Sequence, residues 1–139
     1  IISIHVPLLP TTKHLINKDT IKKMKKGVYI INTARGAIID SEALVWGLET
    51  EQIGGAGLDV LDDENLIEHW EQVLEIKVGN KKRSVTLMNE MLIQHPYVIV
   101  TPHNAFNSTE AVTRIMDTTI KNINAFVDGK VENTVLICK

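Results

Sequence analysis

Four strand-length runs, each almost continuously apolar, punctuate this chain: Ile1-Ile2-Ser3-Ile4-His5-Val6-Pro7, Val28-Tyr29-Ile30-Ile31-Asn32, Ala56-Gly57-Leu58-Asp59-Val60 and Tyr97-Val98-Ile99-Val100-Thr101-Pro102. Strict alternation of apolar and polar residues would mark strands with one wet face, so these runs predict strands buried on both faces. Helical patterns separate them. Asn17 is placed to cap a helix over 18–26, with Ile16 and Ile21 as a hydrophobic staple and Gly27 as the stop. Asp40 precedes a second helix over 41–48, with Leu44, Val45 and Leu48 on one face, and Gly54-Gly55 is expected to break it. A long charged excursion follows the third strand. It has Leu66, Trp70, Val73 and Leu74 at helical spacing, a solvated turn over 79–83, and a second helical stretch around 88–93. A capping box over 107–110 opens a last helix whose stripe is Val112, Ile115, Met116, Ile120, Ile123 and Phe126, ended by Gly129.

Buried strands alternating with helices predict an α/β fold, a parallel sheet built from βαβ crossovers with helices on its faces. At 139 residues one core is expected. Aromatic residues are only 4% of the chain, so that core must be aliphatic. With 17 acidic against 15 basic residues the net charge is −2, the wrong sign for an electrostatic nucleic-acid binder. No apolar run reaches the roughly 20 residues a membrane helix needs. Cys138 is the single cysteine, which excludes an intrachain disulfide and favours a reducing, cytoplasmic setting. The chain opens on Ile and is expected to begin inside a longer protein.

Parallel sheets hold ligands beyond the carboxyl ends of their strands. Just there stand Arg35, Asp59 with Glu64, and His103. An Arg fork can grip a small carboxylate with two hydrogen bonds, and the alternative for Arg35 is a pair with a loop acid. An imidazole is the side chain best suited to proton exchange near neutral pH, so His103 is the candidate acid, against a structural role. Glu64 could lie against that imidazole and stabilise its protonated form, or be one of the solvated acids Asp62, Asp63 and Glu64. Carboxylate anchor, proton donor and tuner together suit the reduction of a 2-oxo acid by hydride transfer. The hydride donor has no cradle in this chain: no G-x-G-x-x-G occurs, and Gly54-Gly55-Ala56-Gly57 enters a strand instead of leaving one. Metal-ligand spacings, a P-loop and a nucleophile elbow are likewise absent, and His5, His14, His69 and His95 have no matching ligand partners.

The ordered motifs Ile4-His5-Val6-Pro7, Asn32-Thr33-Ala34-Arg35-Gly36, Gly57-Leu58-Asp59-Val60 with Glu64, and Thr101-Pro102-His103-Asn104-Ala105 resemble the D-isomer-specific 2-hydroxyacid dehydrogenases over nearly the whole chain. The resemblance implies an NAD-dependent oxidoreductase and a Rossmann-like coenzyme domain of which residues 1–127 are the second half, with 65–96 as an insertion and 128–139 returning toward a catalytic domain. It implies that Arg35 binds the substrate carboxylate and polarises the keto group, that His103 protonates the carbonyl oxygen, and that Glu64 holds His103. His5, Val6 and Pro7, with Thr33 and Ala34, would line the NAD site, and Asp59 would sit near the nicotinamide carboxamide. Glu64 differs from the Gln of formate dehydrogenases, and Asn104-Ala105-Phe106-Asn107 is similar to the D-lactate dehydrogenase branch. The partners implied are a small 2-keto or 2-hydroxy acid and a second subunit of a homodimer, with neither nucleic acid nor membrane. The alternative is a dehydrogenase-like co-repressor that senses NAD without turnover.

Overall fold

The computed structural model describes residues 1–62 and 80–134, the side chains of 80–83 excepted. They belong to two compact units, Ile1–His103 and Asn104–Lys139. In the first, β1 (Ile2–Ile4), β2 (Val28–Asn32), β3 (Ile53–Leu58) and β4 (Val98–Val100) form one sheet in the order β1-β2-β3-β4. Every neighbouring pair is parallel. The expected α/β architecture is therefore present.

Helices α1 (Lys18–Ile21), α2 (Ser41–Glu49) and α3 (Asn80–Gln94) make the connections. Asn17 caps α1 as expected: its side chain accepts from the amides of Asp19 and Thr20, and the Thr20 hydroxyl in turn accepts from the Asn17 amide. Ile16 and Ile21 flank the cap and are both buried. The helix is shorter than the expected 18–26. Lys23 and Met24 donate three residues back, to Thr20 and Ile21, so the chain leaves α1 in tight turns before Gly27, which is left-handed at φ 76°. Asp40 caps α2 through the amides of Glu42 and Ala43.

Gly54 and Gly55 do not end α2; they lie inside β3. The stop comes earlier, where the Thr50 hydroxyl donates to the Trp46 carbonyl at 2.8 Å and Glu51 turns left-handed at φ 56°. The solvated turn expected over 79–83 is also corrected, because α3 begins at Asn80. The helical pattern of Leu66, Trp70, Val73 and Leu74 lies outside the described residues.

One aliphatic cluster joins Ile4, Ile30, Ala56 and Leu58 of the sheet to Ile21 of α1, Leu44 and Leu48 of α2 and Leu92 of α3. Among the described residues of this unit the sheet is buried on one face only. Strand side chains alternate between faces, so Ser3, Tyr29 and Ile99 point away from that cluster, and Tyr29 and Ile99 remain 53% and 71% exposed. All three helices contribute to the single cluster on the other side.

The second unit holds α4 (Thr109–Val127), capped by Ser108, whose hydroxyl accepts from the Ala111 amide at 3.2 Å. The cap is one-sided because Ala111 occupies the position from which a capping box needs a polar reply. Gly129 ends the helix at φ 71°. Its apolar stripe is present and exposed among the described residues. No described helix is long and apolar enough to cross a membrane.

Candidate functional site at the carboxyl edge of the sheet

The parallel register lines up Ile4 with Asn32, Asn32 with Leu58, and Leu58 with Val100. Whatever follows each strand therefore emerges along one edge. That edge carries His5-Val6-Pro7 after β1, Thr33-Ala34-Arg35 after β2, Asp59 after β3, and Thr101-Pro102-His103 after β4. Backbone pairing continues one residue beyond the strands: the Asp59 amide donates to the Asn32 carbonyl and the Thr101 amide to the Leu58 carbonyl, each at 2.9 Å.

The bend that presents Arg35 is shaped by Asn32. Fully buried at the end of β2, Asn32 accepts from the Ala34 amide through Oδ1 and donates from Nδ2 to the Arg35 carbonyl, both at 3.0 Å. Such side-chain bonds to the following backbone curl the chain without help from a neighbouring strand. A 3₁₀ turn over Gly36–Ile38 follows. It is stitched to the loop after β1, since the amides of His14 and Ile16 donate to the carbonyls of Ala37 and Ile38. The Arg35 side chain is exposed, and its Nη1 donates to the Ala34 carbonyl at 2.7 Å. Among the described residues no carboxylate forms an ion pair with it, so the loop-acid alternative finds no partner there.

His103 is exposed, and its backbone is left-handed at φ 52°. Its amide donates to the Thr101 carbonyl at 3.0 Å, a sharp bend that turns the chain at the end of β4. Left-handed conformations are uncommon for residues with a Cβ and cluster where a side chain has to be aimed. At the end of β3, Asp59 is only 5% exposed and accepts a 2.5 Å hydrogen bond from the Thr101 hydroxyl. Glu64, expected against His103, lies outside the described residues.

His5 is exposed, with Nε2 2.7 Å from the Ser3 hydroxyl. Val6, Pro7 and Thr33 are exposed, while Ala34 packs against the core. These exposed residues stand at the carboxyl ends of adjacent parallel strands, where such sheets hold ligands. Two residues with structural influence on the site had no role from the sequence. Asn32 ends a buried strand two positions before a bend, which is a signal for a side-chain-capped turn. Thr101 carries no such signal, because its partner lies 42 positions away.

Residues 1–105 match the family described as D-isomer specific 2-hydroxyacid dehydrogenase, NAD binding domain. The chain belongs to this family. It is 41% identical over its whole length to an aromatic 2-oxoacid reductase of Clostridium sporogenes, and 38% identical over 96% of its length to the D-lactate dehydrogenase of Lactobacillus delbrueckii subsp. bulgaricus. Among solved structures, D-lactate dehydrogenase from Aquifex aeolicus complexed with NAD and lactic acid aligns with TM-score 0.73 and 38% identity, over 91% of this chain and 37% of that one. The chain spans about two fifths of the length of the relatives it matches. The expected family and Rossmann-like fold are thus confirmed.

Proposed function

We propose that this chain is the second half of the coenzyme domain of an NAD-dependent enzyme that reduces a small 2-oxo acid to a D-2-hydroxy acid, with pyruvate the foremost substrate. In this reading residues 1–127 belong to that domain and 128–139 return toward a catalytic domain. The observation that carries the proposal is the placement of Arg35 and His103 after β2 and β4, the two strands that flank β3, on one sheet edge in a chain of this family.

Arg35 binds the substrate carboxylate through its guanidinium fork and draws electron density from the adjacent keto group. His103 donates its proton to the carbonyl oxygen as charge develops there, and its exposure lets it be reprotonated from solvent. Glu64 stabilises the protonated imidazole. His5, Val6, Pro7, Thr33 and Ala34 would hold the coenzyme, and Asp59, which accepts from the Thr101 hydroxyl, would serve its nicotinamide end. When bound, the reduced nicotinamide supplies the hydride that goes to the carbonyl carbon. The lactic acid in the Aquifex aeolicus complex supports a small substrate, and the Clostridium sporogenes reductase makes an aromatic 2-oxo acid the second choice. Enzymes of this kind among the relatives favour turnover over a co-repressor role.

The test is NADH oxidation by the full-length protein with pyruvate, 2-oxobutyrate, glyoxylate, hydroxypyruvate and phenylpyruvate. Fastest turnover with pyruvate and a D-product is expected. Silence on all five overturns the proposal.

A further inference from the structure

Asn89, on α3, has no part in the chemistry above, yet it is 1% exposed. A buried amide is costly unless both its ends are engaged. They are: Oδ1 accepts from the Ser41 hydroxyl at 3.3 Å, and Nδ2 donates to the main-chain carbonyl of Asp62 at 2.7 Å. The Asp62 carboxylate oxygen Oδ2 lies 3.6 Å from His14 Nε2, beyond hydrogen-bond distance, so the Asn89 amide is the contact that grips this peptide.

What this tethered peptide presses on is the residue after Arg35. A Cβ placed on Gly36 would fall 2.0 Å from the Leu61 carbonyl oxygen and 2.5 Å from the Asp62 nitrogen, so the two backbones touch with no side chain between them. The small pocket beside this contact, lined by Asn32, Gly36, Ser41, Leu61 and Asp62 among others, has room for about 10 Å³. That is no larger than one water. A shift of the Leu61–Asp62 peptide has to displace Gly36 or open a cavity.

We infer that Asn89 is a positioning residue for the substrate-carboxylate site: by gripping the Asp62 carbonyl it seats the Leu61–Asp62 peptide against Gly36 and fixes the loop that presents Arg35. Helix α3 thereby bears on the Arg35 site through the Asp62 carbonyl. The inference rests on the reading of Arg35 as the carboxylate ligand.

In the full-length enzyme, Asn89→Ala should raise KM for the 2-oxo acid about tenfold and lower kcat by a smaller factor, because Arg35 both binds the carboxylate and polarises the keto group. NADH affinity and the pH profile should stay in place. Asn89→Asp keeps the size and the Ser41 contact but sets a carboxylate against the Asp62 carbonyl, so it should raise KM at least as far; it carries the test if the alanine variant does not fold. In an Arg35→Ala background, Asn89→Ala should add less than about twofold, because the group through which it acts is gone. An unchanged KM in a folded Asn89 variant, or an equal effect in both backgrounds, overturns the positioning role. A KM indifferent to Arg35→Ala overturns the reading of Arg35 instead.

Discussion

Replacing Thr101 by Val removes the hydroxyl that donates to Asp59 while keeping the branched shape at the end of β4. The bond is 2.5 Å long and its acceptor is 5% exposed, which places it among hydrogen bonds to carboxylates shielded from water. Its loss should lower the opening free energy of the β3–β4 edge by about 2 kcal/mol, or about thirtyfold in exchange rate. Amide hydrogen exchange on the full-length protein reads this at Asp59 and Thr101, whose N–H groups pair with the Asn32 and Leu58 carbonyls across the same edge. The Leu44 amide, bonded to the Asp40 carbonyl in α2, is the internal control and should not change. Acceleration of less than about threefold at the edge, or equal acceleration at Leu44, would refute the idea that Thr101 and Asp59 clamp the strand ends locally.

Arg35→Lys keeps the charge and loses the planar fork, so KM for the 2-oxo acid should rise by at least about tenfold; an unchanged KM removes Arg35 from the substrate site. Glu64→Gln removes the negative charge proposed to stabilise the protonated imidazole of His103, so kcat for 2-oxo acid reduction should fall by about tenfold; an unchanged kcat returns Glu64 to the solvated acids. The 139-residue chain alone should neither bind NADH nor stay monomeric, since β1 is the sheet's edge with Ile1 91% exposed and the sequence holds no glycine-rich phosphate loop. Fluorescence titration and sedimentation check this, and a monomer that binds NADH contradicts it.

Where local chemistry decides the structure, the sequence was legible. The run 28–32 became β2, Asp40 capped α2, and Asn17 with Ile16 and Ile21 opened α1, because each signal acts within five residues. Arg35 and His103 stood out because polar residues at the ends of buried strands have few structural reasons to be there. Gly54-Gly55 misled for the opposite reason: Thr50 and Glu51 stop the helix, and pairing with β2 and β4 decides what the glycines do. Asn80 beside Gly79 predicts a turn, yet α3 begins at Asn80, because the lysines after it are good helix formers. Thr101 and Asn89 were silent, since their partners Asp59, Ser41 and Asp62 are 27 to 48 positions distant and only the fold brings them together.

His103 is where the chemistry stands or falls, and His103→Ala in the full-length enzyme is its most direct measurement. With NADH affinity retained, kcat for 2-oxo acid reduction should fall by at least about a hundredfold, the usual contribution of a positioned general acid. Turnover near the parent rate would make His103 a structural residue and contradict the proposed mechanism.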